Sequence, residues 1–178
     1  MRKMKTINLF IALLFVSIFS ACVISDEEIE VEGLKPIYIS KTEAYNVASQ
    51  AAIPITVPGK IYRYHNFIFI NEKGKGIHII DNTTPSAPLK IAFINIPGNY
   101  DMAVSGTVLY ADNFTDIIAL DLTDPTNITI LKRIPNVMSA TNSYYPENYT
   151  GYFECVDTTQ GYVVGWEEAV LIDPKCNL

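Results

Sequence analysis

Phe67-Ile68-Phe69-Ile70-Asn71-Glu72, followed by Gly76-Ile77-His78-Ile79-Ile80-Asp81 and then Thr83-Thr84-Pro85, is one unit of this chain. A second unit reads Thr107-Val108-Leu109-Tyr110-Ala111-Asp112, then Asp116-Ile117-Ile118-Ala119-Leu120-Asp121 and Thr123-Asp124-Pro125. Ile68 aligns with Val108, Asp81 with Asp121 and Pro85 with Pro125, a period of about forty residues. Short apolar runs at that period fall in the range of propeller blades. β-branched and aromatic residues dominate each run, which favours strands over helices. Each unit reads as four strands, at 60–64, 67–71, 77–81 and 90–95, and at 100–104, 108–112, 117–122 and 129–133. Asn66, Gly74, Gly76, Gly98 and Gly106 punctuate them as turn residues. Ile68, Ile77, Ile79, Leu109, Ile117 and Ala119 are the expected core.

The units resemble the LVIVD-repeat family of bacterial envelope proteins. Ile77-His78-Ile79-Ile80-Asp81 and Ile117-Ile118-Ala119-Leu120-Asp121 carry the resemblance, each followed by a turn and Pro85 or Pro125. The stretches 69–74 and 92–99 are also similar to that group. The match covers residues 58–137. It implies an all-β fold of two four-stranded propeller-like blades packed together. The family has no assigned common chemistry, so the resemblance implies no activity. Closing a propeller normally takes 4–8 blades. Two blades can bury their inner faces on each other if flanking segments cover the open sides.

Those flanks are a short helix and a tail. The stretch 40–50 offers Ser40 or Thr42 as N-cap with Glu43 at the capping-box position, and Pro54 and Pro58 bound it, so one or two helical turns are expected. Residues 37–137 are read as the two-repeat β domain. Residues 138–178 are read as a tyrosine-rich loop and C-terminal strands on the same domain. Strands are expected at 152–156, 161–166 and 169–172, the first two as a β-hairpin across Asp157-Thr158-Thr159-Gln160.

The N-terminus speaks to location. Arg2, Lys3 and Lys5 precede an apolar run from Ile7 to Ile18, and Phe19-Ser20-Ala21-Cys22 closes it. This is the layout of a lipoprotein signal peptide, residues 1–21, whose cleavage leaves Cys22 to carry lipid as a membrane anchor. Phe19 stands where Leu is usual. A plain secretory signal and a retained transmembrane helix are the alternatives; spanning needs about 20 residues, and the run holds roughly 15. Residues 22–36 read as an acidic tether with little to bury. Ser25-Asp26-Glu27-Glu28 resembles the Ser-Asp-Asp-Asp-type export signal of some Gram-negative surface lipoproteins, which implies display on the outer face of the outer membrane. The bland reading is a solvated linker.

Composition excludes more than it selects. The net charge is −6, and losing the signal removes three positive charges, so nucleic acid is a poor partner. Three cysteines leave Cys155 and Cys176 once Cys22 is set aside; in an oxidising compartment they are expected to form a disulfide. The two histidines, His65 and His78, have no Cys/His cluster near them, so no zinc site is expected. Asp81 and Asp121 end strands before turns, where an aspartate bonds its own backbone. Asp112, Asp116, Asp121 and Asp124 suggest a cation site only weakly, because no EF-hand spacing is present.

Four Asn-x-Thr triplets, at Asn82, Asn113, Asn127 and Asn148, read as turn residues in a bacterial lipoprotein. Asp157-Thr158-Thr159 resembles a short O-glycan acceptor motif, making Thr158 a candidate glycan acceptor. Tyr144, Tyr145, Tyr149, Tyr152 and Trp166 are a candidate ligand surface for sugar rings or peptide; the competing reading packs them onto the sheets. No nucleophile elbow, zincin, P-loop or dinucleotide fingerprint occurs, so no enzyme activity and no cofactor are expected. The expectation is a lipid-anchored binding or scaffold protein of the cell envelope. The alternatives are an accessory carbohydrate-active or other hydrolytic enzyme, or a partial propeller completing a partner's blades.

Overall fold

The computed structural model describes residues 28–139 and 144–178. The signal segment, Cys22, Ser25, Asp26 and Glu27 lie outside the described residues; Glu28 lies within them, exposed. Among the described residues the regular structure is β-strand, in three sheets, apart from one short helix. It opens with β1 (Glu30–Ile39), α1 (Lys41–Ala44) and β2 (Ala48–Gln50). Ser40 caps α1 in a full capping box: its hydroxyl accepts from Glu43 N at 3.2 Å, and Glu43 Oε2 accepts from Ser40 N at 2.9 Å.

Four strands follow in antiparallel succession: β3 (Pro58–Tyr64), β4 (Phe67–Glu72), β5 (Gly76–Asp81) and β6 (Leu89–Asn95). With β2 on the outer side of β6 they make a five-stranded sheet. The second unit gives β7 (Met102–Ser105), β8 (Val108–Asn113), β9 (Asp116–Asp121) and β10 (Thr129–Ile134), a four-stranded antiparallel sheet in simple succession. The two sheets share one core. Phe69, Ile77, Ile79 and Ile94 of the first cluster with Met102, Leu109, Ile118 and Leu120 of the second, all essentially fully buried. Asp81 and Asp121 are turn residues: each Oδ1 accepts the N–H two residues on, from Thr83 and Thr123, at 2.8 Å.

Three expected core positions are displaced. Ile68, Ile117 and Ala119 are only partly buried; Phe69, Ile118 and Leu120 take the inward places. Phe69 lies opposite Ile79, whereas Leu109 lies opposite Leu120. The first hairpin closes on a three-residue turn (73–75) and the second on a two-residue turn (114–115), so the pairing of the second is offset by one residue. A uniform forty-residue shift puts Ala119 where Leu120 sits, and in a strand one residue exchanges the faces.

The flanks depart further. Residues 30–36, read as tether, lie in β1, the second strand of a third sheet ordered β12-β1-β11-β13. Its other members are β11 (Tyr152–Phe153), β12 (Tyr162–Ile172) and β13 (Cys176–Asn177). β1 pairs antiparallel with β12 from Glu30↔Ile172 to Ile39↔Tyr162, and parallel with β11 at Leu34↔Phe153. The expected C-terminal β-hairpin does not form, because β1 stands between its two arms. The expected strands at 161–166 and 169–172 are one continuous β12. Gly33 makes the insertion possible: a Cβ there would lie 2.4 Å from the Tyr152 carbonyl oxygen.

Cys155 and Cys176 are paired as expected, with Cα atoms 5.4 Å apart. The bridge ties the end of β11 to β13, a contact of only two residue pairs. Replacing both cysteines by serine is expected to cost roughly 3 kcal/mol in chemical denaturation, the chain-entropy value for a loop of about 20 residues. An unchanged midpoint would show that the tail docks without the bridge.

Candidate binding cleft

The third sheet meets the second along an aromatic seam. Phe114, in the tight connection between β8 and β9, stacks on Tyr162 at the start of β12, with centroids 4.4 Å apart and planes at 26°. The Tyr162 and Tyr45 hydroxyls are 3.4 Å apart. The Arg133 guanidinium lies 4.4 Å over the Tyr45 ring and bonds Asp116 at 2.9 Å. Burial, the contact with Tyr45 and the charge of Asp116 push the Tyr162 hydroxyl up to about 12, so it stays protonated at neutral pH. Phe114 holds a left-handed backbone, φ 55°, which a bulky residue seldom adopts. Gly98 makes room for it: a Cβ there would approach the Phe114 ring to 2.7 Å.

Beside this seam lies a cleft of about 400 Å³. Phe114, Tyr100, Tyr145 and Trp166 supply its aromatic walls. Residues 163–166 of β12 form one side, and Gly74 and Gly98 another. Two carboxylates line it, Asp112 and Glu147, and among the described residues no Lys, Arg or His does. Asp112 is held in place by Asn99 Nδ2 at 2.6 Å, Asp101 N at 2.8 Å and Tyr100 N at 2.9 Å, all donating to Oδ1. Burial pushes its carboxyl up, and those donors partly offset the effect. The Tyr100 hydroxyl is also raised, by burial and by the charges of Glu147 and Asp112. Asn99 is fixed in turn by Asn71, whose Nδ2 donates to Asn99 Oδ1 at 2.6 Å, so the first sheet anchors the site in the second.

Of the five aromatics singled out in sequence, the cleft gathers Tyr145 and Trp166. Tyr145 meets Phe153 edge-on, and Phe153 meets Trp166 edge-on, so both have packing on one side and the cleft on the other. Tyr144 lines a smaller cleft of about 220 Å³ across Phe114, together with Thr158. Tyr149 donates its hydroxyl to the Tyr152 carbonyl at 3.0 Å, and neither residue lines either cleft. Thr158 is exposed in the turn that Asp157 organises by accepting from Thr159 N at 2.9 Å. Tyr100, Phe114 and Glu147 were not legible as site residues. The one available signal was a bulky Phe114 inside a connection of two residues.

The four aspartates weighed as a cation site are dispersed. Asp112 bonds the 99–101 backbone and Asn99, Asp116 bonds Arg133, Asp121 bonds Thr123, and Asp124 bonds Thr126. Among the described residues no group of three or more His, Cys, Asp or Glu is placed to hold a metal ion.

A second polar cluster is closed to solvent. Glu72 and His78, on adjacent strands, are both fully buried and bonded at 2.9 Å. Glu72 also accepts from Thr56 N at 3.0 Å, from the Thr56 hydroxyl and from Val57 N at 2.6 Å. The pair clamps the extended segment before β3 onto the first sheet. Its burial gives it a structural part. Compared with protein-family models, with curated proteins and with solved structures, the chain matches none.

Proposed function

We propose that this is a lipid-anchored binding protein of the cell envelope, displayed on the outer surface of the outer membrane. The observation that carries the binding reading is the aromatic, acidic cleft between the second and third sheets. Concave sites with a few convergent polar groups are where ligands bind. The anchor and the location rest on the sequence: the basic and apolar start, Cys22, and the run Ser25-Asp26-Glu27-Glu28. The two meander sheets with a joint core suit a reading as two LVIVD-like blades.

Two other readings each have one observation in their favour. Asp112 and Glu147 share a cleft, as the two carboxylates of a carbohydrate-active enzyme do. Burial raises the Asp112 carboxyl, which suits a proton donor, while the three donors on its Oδ1 pull toward the charged form that suits an acceptor. Ile130, Leu131 and Ile134 of the edge strand β10 are about half exposed, which suits a sheet packing on a partner's blades.

Protease shaving of intact cells tests the location. The wild-type protein is expected to be removed together with a known surface marker, and a Cys22→Ala form is expected to leave the membrane fraction. Survival of the wild type under conditions that strip the marker would place it facing the periplasm. Replacing Asp26, Glu27 and Glu28 by Ala should protect the protein; unchanged shaving would reduce the run to a linker.

A further inference from the structure

We propose that the cleft between the second and third sheets binds an organic cation, a guanidinium or primary ammonium group. This rests on the binding reading above and names the ligand class. Charge complementarity carries it. Among the described residues the cleft holds two carboxylates and no cationic side chain, and four aromatic rings line it. Ring faces attract a cation, most strongly where water is displaced. A neutral sugar would use the rings but leave a half-buried carboxylate without a counter-charge.

Asp112 is suited to the part. Its three donors converge on Oδ1, and Oδ2 accepts from Tyr100 N at the longer distance of 3.1 Å. One carboxylate oxygen thus fixes the side chain and the other has acceptor capacity left. Glu147 stands exposed at the same cleft, placed to steer a cation toward it. The cleft is wide enough for a side chain rather than a bare ion.

The neighbouring strand suggests how such a group is presented. Among the described residues β12 pairs with β1 and with no other strand, and residues 163–166 of this edge strand line the cleft. An extended peptide can pair with a free strand edge by main-chain hydrogen bonds while a side chain enters an adjacent pocket. A peptide-borne cation and a free amine share the same chemistry in the cleft, and only the peptide would also use the edge.

Isothermal titration of the exported chain tests this with four probes: arginine amide, an extended acetylated peptide with one central arginine, the same peptide with citrulline, and a neutral oligosaccharide. Binding is expected for the arginine probes, weakening as salt is raised, and not for citrulline or the sugar. Tighter binding of the peptide than of arginine amide assigns the edge of β12 a part; equal affinity assigns the site to free cations. Glu147→Gln, at an exposed position, should weaken binding about threefold. Asp112→Asn should weaken it roughly thirtyfold or more, with circular dichroism checking the fold. Sugar binding that neither variant alters would overturn the cation assignment and leave the binding reading intact. Binding of no probe overturns it as well. The binding reading itself falls only if, in addition, nothing co-purifies with the lipoprotein from membranes.

Discussion

Glu72→Ala is expected to destabilise the protein by about 3 kcal/mol or more, because the donors of His78, Thr56 and Val57 lose their buried acceptor at about 1–3 kcal/mol each. Glu72 is fully buried and accepts from His78, Thr56 and Val57, so alanine strands a buried imidazole and frees the segment before β3. An ionised carboxylate only accepts, so His78 Nε2 carries the proton of the shared bond. The same site sets an acid limit. Burial opposes ionisation of Glu72, but hydrogen bonds from Thr56, His78 and Val57 outweigh it and hold the carboxyl at about 2, below the ordinary 4.5. A depressed carboxyl stabilises fully above its unfolded value and loses that contribution as pH falls toward the folded one. Glu72→Gln should therefore differ most from the wild type above pH 4.5, and the gap should narrow toward pH 2. Urea titrations at several pH values measure it. A gap independent of pH would mean that the charge on Glu72 contributes nothing.

Leu120→Ala is expected to cost about 2–5 kcal/mol, and Leu109→Ala about the same. Both side chains are fully buried and face each other across β8 and β9. Ile117→Ala should cost clearly less, because Ile117 keeps partial exposure. The comparison is a test of register. If Ile117→Ala shifts the denaturation midpoint more than Leu120→Ala, the faces of β9 are exchanged.

The repeat strands were legible because their signals are local. Runs such as Phe67-Ile68-Phe69-Ile70 and Ile117-Ile118-Ala119-Leu120, bounded by turn residues, state strand type and antiparallel succession within a few neighbours. The Asp81 and Asp121 turns and the Ser40 capping box are equally local, each closing within two or three residues. The disulfide follows from cysteine number once an oxidising compartment is assumed. The candidate site was legible in part: Tyr145 and Trp166 were named, while Tyr100, Phe114 and Glu147 were not.

By itself, then, the sequence determined the all-β class, the two runs of antiparallel strands, the turn aspartates and the cysteine pair, but not that β2 widens the first sheet to five strands. Only the tertiary structure decided which face of β9 points inward, because closing the hairpin on two turn residues instead of three offsets the pairing by one and exchanges the faces without disturbing the sequence pattern. Only it placed β1 between β11 and β12. Glu30 and Glu32 make that segment look like a solvated tether, and its partners lie at the far end of the chain. The cleft exists for the same reason. Asp112 and Phe114 come from the second repeat, Tyr145 and Glu147 from the tail loop, and Trp166 from β12. No local pattern encodes that meeting. It follows from the docking of the third sheet, which Phe114 and Tyr162 hold by burying ring against ring.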